Sequence, residues 1–256
     1  MPEFLPRIAL AILAFVVSGV ALAGTSDDWK TNATVYLWLP SLNGELRFGA
    51  LESAGTVDAG KILDSLEMAF MGAFEVSRGD VSFLSDVIYL DLEAGKSGDF
   101  VALPGGDERS TNADLGISGW QLGLYAAHTL TTSERLQLRG VAGLRYLTLD
   151  VEAQVGITSP REERSRRFER SAAVWDGVVG VRGQFSLNDN WFIPFHADIG
   201  TGESELTWQV LSGIGFRFGR FDTQLVYRHL EWQQGSTDLM QNLSFSGPGL
   251  GLKWRF

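Results

Sequence analysis

His196 and Asp198 stand two residues apart in "WFIPFHADI", so a β-strand would put both side chains on one face. An imidazole held by a carboxylate can serve as a general base if its partner lies within hydrogen-bond reach. The chain has 3 His in all, and His128 and His229 lie elsewhere. No second pair of acids can be placed opposite this one from the sequence. Catalysis through His196 and Asp198 therefore competes with a duller reading, a polar network inside a folded body. Other chemistries find less support. "GTVDAGKI" (55–62) spaces Gly55, Gly60 and Lys61 as a phosphate-binding loop would, but Ile62 stands where a magnesium ligand needs Ser or Thr. The same stretch reads instead as a long connection with a short helical turn, laying Ile62, Leu63 and Leu66 against a rim. "RGD" at 78–80 reads as a tight reversal at Gly79. There is no cysteine, which excludes a disulfide framework, a thiolate nucleophile and Cys-ligated metal. The net charge of −10 argues against a nucleic-acid partner. No cofactor and no metal are expected.

The elements that would position His196 are strands. "WFIPFHADI" puts Trp191, Ile193, Phe195, Ala197 and Ile199 opposite Pro194, His196 and Asp198. "LTWQVLSGIGFRF", "RLQLRGVAGLRYL" and "LEMAFMGAFEV" alternate in the same way, the last with Glu67 and Glu75 on its polar side. Short turns fall at 77–80, 131–134, 187–190 and 218–221, and longer polar connections near 49–64, 94–110, 154–170, 200–204 and 233–242. Short and long connections thus alternate, as they do in outer-membrane barrels. Counting from a first strand at 31–48 gives about ten strands, or about eight or twelve if Pro40 and "SLNG" make a turn. Ahead of the strands, Arg7, an apolar run from Ile8 and Ala21-Leu22-Ala23 read as a signal peptide over 1–23, leaving 24–256 as one barrel domain.

The chain closes on "GPGLGLKWRF", in which Leu250, Leu252, Trp254 and Phe256 alternate with Gly249, Gly251, Lys253 and Arg255. A closed barrel must pair its last strand with its first, because an open edge in lipid leaves backbone groups unsatisfied. The ending resembles the signal by which the outer-membrane barrel assembly machinery recognises its clients. "YLWLP", "FMGAFE" and "DVIYLDL" resemble segments of small, largely uncharacterised outer-membrane β-barrel proteins of Gram-negative bacteria. The resemblance implies an antiparallel transmembrane β-barrel in the bacterial outer membrane, and no particular chemistry. Outer-membrane proteases of the omptin kind also combine a His with Asp residues near the outer rim, which keeps a barrel enzyme acting through His196 and Asp198 as an alternative. A soluble lipocalin-like binding barrel would alternate too and is a second alternative.

On this pattern Glu67, Glu75, Asp86, Arg139, Arg145, Asp176, Arg182, Asp198, Arg217 and Arg228 point inward. Buried charges need partners, so the expectation is a mixed-sign network that plugs the lumen, with a narrow charged water path as the other reading. "SPREERSRRFER" (159–170) gathers Arg161, Arg164, Arg166, Arg167 and Arg170 in an otherwise acidic chain. On an outside loop these guanidiniums suit lipopolysaccharide phosphates; internal pairing with Glu162, Glu163 and Glu169 is the alternative. The sequence thus points to a non-enzymatic barrel, structural or a narrow passive channel, whose partners are outer-membrane lipid and lipopolysaccharide.

Overall fold

The computed structural model describes residues 29–48, 51–57, 59–98, 110–159, 162–234 and 240–256. The expected signal peptide lies outside them. The strands are β1 (Lys30–Trp38), β2 (Ser41–Phe48), β3 (Leu51–Val57), β4 (Leu66–Arg78), β5 (Val81–Gly98) and β6 (Ser110–Thr132), then β7 (Leu136–Ser159), β8 (Glu162–Ser186), β9 (Trp191–Gly202), β10 (Leu206–Phe218), β11 (Phe221–Gln233) and β12 (Met240–Arg255). A short helix, α1 (Ala59–Asp64), precedes β4. Neighbours along the chain from β4 to β12 pair antiparallel, β1 pairs with β4, and β1 also pairs with β12. The result is a closed, ten-stranded antiparallel β-barrel of the transmembrane type.

Pro40 interrupts the first strand without turning it. β1 runs along Gly249–Arg255 of β12, and after Leu39 and Pro40 β2 continues along its Met240–Ser246 half. Proline has no N–H to give the ladder, and Leu39 N–H keeps the seam by donating to Pro248 O at 3.0 Å. The expected first strand at 31–48 is therefore two segments of one barrel stave. β2 then folds back as a hairpin with β3, where a long polar connection with a short helical turn was expected. Gly55 lies in β3 paired with Gly44, so no phosphate-cradling loop leads into α1. In α1 Ile62 is buried, as expected of the rim helix, whereas Leu63 is exposed.

Both ends of the barrel follow from local chemistry. At the turn end, which also holds the described chain termini, Gly79 and Gly219 adopt φ of 57° and 61°, a left-handed conformation that glycine takes without steric cost. Asn188 Oδ1 accepts from the N–H groups of Asn190 and Trp191 at 3.0 and 2.8 Å, fixing the 187–190 turn. At the opposite, loop end the walls differ in height. β6, β7 and β8 have 23, 24 and 25 residues, against 12 or 13 in β9, β10 and β11. A tilted strand crosses a bilayer in about 9–11 residues. Of the connection expected near 94–110, the described residues 94–98 and 110 are paired strand, and of that near 154–170, residues 154–159 and 162–170 are paired strand in the upper part of the β7–β8 hairpin.

The outer surface is apolar. Val35, Leu124, Leu144, Val179, Ile199, Leu225 and Leu250 are each about half exposed or more. Aromatics border this band. At the turn end Trp191, Phe216, Phe218, Phe221, Trp254 and Phe256 form an unbroken file with ring centroids 4.9–6.5 Å apart. Toward the loop end Tyr89 meets Trp120, Tyr146 meets Trp175 and Trp208 meets His229 at 4.3–4.5 Å. On β10 the strand between Trp208 and Phe218 is about 33 Å long. Tilted by about 40°, it stands about 25 Å tall, the height of an outer-membrane barrel's lipid band.

The seam is tightest at Gly247, where β12 passes from β1 to β2. A Cβ there would overlap the Leu39 carbonyl oxygen and come 2.8 Å from Pro40 Cα, while at Gly249 nothing lies nearer than 3.4 Å. Gly247→Ala is expected to destabilise the barrel by about 1–3 kcal/mol, the usual cost of overpacking. Gly249→Ala should be close to neutral. Urea unfolding of the refolded protein in detergent reads the difference; equal midpoints would mean the Pro40 break does not constrain the seam.

Candidate functional site

Alternation that turns apolar residues outward turns the polar ones into the lumen, where they form two layers. In the lower layer, toward the turn end, Glu75 of β4 accepts from Arg139 of β7 at 2.6 Å and from Arg182 of β8 at 3.4 Å. Arg139 also donates to Ser82 Oγ at 3.2 Å. In the middle layer Asp198 Oδ1 accepts from Arg145 Nη2 at 2.6 Å, and its Oδ2 accepts from Gln209 Nε2 at 2.9 Å and lies 2.6 Å from His196 Nε2. Gln209 Oε1 accepts from Arg228 Nε at 2.9 Å. Arg228 pairs with Asp86 at 2.9 Å, and Asp86 accepts from the Tyr36 hydroxyl at 2.5 Å. One chain of contacts thus links β9, β10, β11, β5 and β1 across the lumen. The Arg145 and Asp198 side chains are wholly buried.

Above this layer the lumen is filled with hydrocarbon. Trp38, Met71, Ile88, Leu147, Val174, Leu230, Trp232 and Leu243 pack into one buried cluster drawn from β1, β4, β5, β7, β8, β11 and β12. The two middle-layer arginines lie under it, with Arg228 5.0 Å from the Trp38 ring centre and Arg145 5.9 Å from that of Trp232. Below it opens a cavity of about 520 Å³, lined by Tyr36, Asp86 and His196 deep inside and by Gln137, Arg217 and Phe256 toward the turn end. The lumen is therefore a cup with an apolar ceiling.

The structure brings together Glu75, Arg139 and Arg182, and separately Arg145, Asp198, Asp86 and Arg228. It departs from the sequence reading at three positions. Glu67 sits at a bulge between Leu66 and Met68, which lets its side chain out to solvent rather than into the lumen. Asp176 faces Arg145 in the β7–β8 register yet forms no ion pair among the described residues; its Oδ1 accepts from the N–H and hydroxyl of Ser204 at 3.0 and 2.7 Å, holding the β9–β10 turn. Arg217 has no carboxylate partner among the described residues either. It lies 4.4 Å over the Phe192 ring and donates to Ser186 Oγ and Asp189 O. Of the loop arginines, Arg161 and the side chains of Arg164, Arg166 and Arg167 lie outside the described residues, and Arg170 is exposed.

Tyr36, Gln209, Thr207 and the aromatic ceiling were not foreseen. Parity was their only signal: Trp232 and Leu230 share the inward face with Arg228, and Trp38 shares it with Tyr36.

The His196–Asp198 pair forms as its spacing demands, but in a setting that explains it structurally. Both Asp198 oxygens are engaged by neighbours. The imidazole also meets the Tyr125 ring in a T-shaped contact, at 5.5 Å between centroids. Among the described residues no hydroxyl nucleophile is hydrogen-bonded to it.

No family model matches the chain, and no curated protein sequence does. Among solved structures, the translocator domain of the autotransporter NalP from Neisseria meningitidis is 16% identical with a TM-score of 0.40, the match covering 98% of this chain and 96% of that one. The transport unit of the autotransporter AIDA-I from Escherichia coli is 10% identical with a TM-score of 0.37, covering 92% of each. Ail, the attachment invasion locus protein of Yersinia pestis, in complex with the heparin analogue sucrose octasulfate, is 10% identical with a TM-score of 0.35, covering 89% of this chain and 98% of that one.

Breaking a buried pair strands the surviving charge. Arg145→Gln is expected to destabilise the barrel by about 3–5 kcal/mol. Arg139→Gln should cost much less, because Arg139 is partly exposed and Arg182 still pairs with Glu75. Equal losses in urea unfolding would show that the middle layer is as hydrated as the lower one.

Proposed function

We propose that the chain is a non-enzymatic outer-membrane barrel, exported by the signal peptide at 1–23, that stabilises or decorates the membrane rather than conducting through it. The observation that carries this reading is the apolar ceiling. Its eight members are each no more than 4% exposed, and ions do not enter a dry hydrocarbon constriction of that kind. Of the two expectations for the interior, a plug and a narrow water path, this favours the plug, although hydrocarbon and not salt bridges closes it.

The outer-membrane setting is supported by the exterior. A half-exposed belt of Leu, Val and Ile bordered by aromatics suits lipid, and a soluble lipocalin-like barrel would leave that belt in water, far above the apolar patch that soluble proteins expose. Phe256 closes the turn-end aromatic file against Trp254 at 4.9 Å, and its N–H donates to Thr31 O at 3.0 Å, so the last residue serves both seam and interface. That double role is consistent with an assembly signal in Leu250, Leu252, Trp254 and Phe256. β8 carries Arg164, Arg166, Arg167 and Arg170 past the lipid band at the loop end. With that end outward they stand at the height of lipopolysaccharide phosphates, the partner we assign to them.

Three outcomes are expected. In planar bilayers the refolded protein should give no discrete conductance steps, while Trp38→Ala combined with Trp232→Ala should open them; steps from the unmodified protein would return the channel reading. Deleting Phe256 should sharply reduce the heat-modifiable, assembled form in the outer membrane, and undiminished levels would remove the assembly role. A protease site at 160–161 should be cut on intact cells and one at Gly79 should not; the reverse would invert the barrel and separate the arginines from lipopolysaccharide.

A further inference from the structure

The cup below the ceiling carries more positive charge than its own carboxylates answer. Glu75 is shared by two guanidiniums, Arg139 and Arg182, and Asp222 is taken by Arg255 at 3.0 Å. Two further cations line the same cavity: Arg217, stacked on Phe192 with no carboxylate partner among the described residues, and Lys253, which makes no hydrogen bond or close ion pair there and shares the field of Glu75 and Asp222 with the three arginines. Arg182 adds a buried Nη1 that has no hydrogen-bond partner. This excess sits inside a chain whose overall charge is −10, so it is not a reflection of composition. Arg217 and Lys253 are half-buried, and cations short of counter-charge that converge on one concave space focus a field that draws anions into it. At about 520 Å³ it falls within the usual size of a small-ligand site, about 300–1,000 Å³.

We infer that the turn-end cup is a binding site for a soluble, multiply charged small anion bearing phosphate-type oxygens. Arg182, Lys253 and Arg217 are the residues that would hold it. Guanidinium forks match such oxygens two at a time, and the lysine supplies a point charge between them. Phe192, Pro194 and Val226 line the same wall and give an organic phosphate an apolar face to rest on. The ligand is soluble rather than a lipid head group because the site lies within the ring of strands. The inference goes beyond the closed-barrel reading and does not depend on it.

Inorganic pyrophosphate is the probe, titrated calorimetrically into the refolded barrel in phosphate-free detergent at constant ionic strength. Saturable binding is expected, and Lys253→Gln and Arg217→Gln should each weaken it on the order of tenfold, about 1.4 kcal/mol. Arg170→Gln, at the far end of the barrel, should leave it unchanged. No saturable heat from the unmodified protein, undiminished affinity in both cup variants, or loss in Arg170→Gln would each overturn the site. So would saturation that appears only when a phosphate-headed lipid is added. Should Lys253→Gln fail to give the heat-modifiable form, Arg217→Gln carries the test, since its head group makes no ion pair. Conductance from the unmodified protein would discard the closed barrel and leave this titration interpretable.

Discussion

Every backbone N–H and C=O in a lipid-spanning sheet must find a partner within the sheet, and here that condition comes to rest on one seam. β12 meets β1 along Gly249–Arg255 and β2 along Met240–Ser246. Between the two, Pro40 has no N–H to give the ladder, and the strand is carried across the gap by Leu39 N–H on Pro248 O and by the Trp38 indole on Gly247 O at 3.1 Å. Gly247 is needed there because the broken stave leaves no room for a side chain. Closure thus connects three otherwise unrelated features: a glycine-rich β12, the Phe256 N–H held by Thr31 O, and a tryptophan buried inside a barrel.

Closure also decides what the interior can be. Once the exterior takes the apolar half of each strand, the other half must fill a ring of ten strands with whatever remains. In this chain charge fills the lower part and hydrocarbon the upper. The division is energetically coherent. Ion pairs near the open end keep some water, where charge is cheap to hold. Arg145 and Asp198, fully enclosed, are bound on several sides by Thr207, Gln209 and His196, as a buried pair must be to offset its desolvation. Arg228 and Arg145 under the tryptophans form the boundary, where a guanidinium can face an aromatic on one side and a carboxylate on the other.

The strands, the turns and the terminal residue were legible because lipid imposes a period of two on every crossing, and period is what a sequence displays directly. The interior was legible only as a list. Parity says that a residue points inward; it does not say at what height, or which residue across the lumen it meets. Asp176 stands directly opposite Arg145 yet bonds Ser204, and Arg217 stands opposite Asp222 yet rests on Phe192. Glu67 escaped because a single extra residue at Leu66–Met68 cancels the parity. The tall hairpins were misjudged for a related reason. Above the lipid band both faces of a strand meet water, so alternation fades and 154–170 reads as a loop although the backbone of 154–159 pairs with that of 162–167.

That height difference has a traceable cause, and it bears on what the barrel offers its surroundings. β9 and β10 stop at 203–205 because the turn is pinned to β8: Asp176 holds Ser204, the Glu203 carboxylate accepts the Trp175 N–H at 2.7 Å, and the Thr201 hydroxyl donates to Ser204 O at 3.1 Å. β9 therefore accompanies β8 only from Asp176 onward. Among the described residues the rest of β8, from Glu162, has β7 as its sole strand partner. The wall formed by β5, β6, β7 and β8 rises on one side while the other side ends at the edge of the lipid band. Among the described residues this one-sided wall, with strands of 23 to 25 residues in β6, β7 and β8, is the tallest part of the barrel at its loop end. An inward-directed carboxylate, Asp176, was expected to neutralise a charge in the lumen. Its effect instead is to fix where one side of the barrel stops, and so to shape the surface on the other.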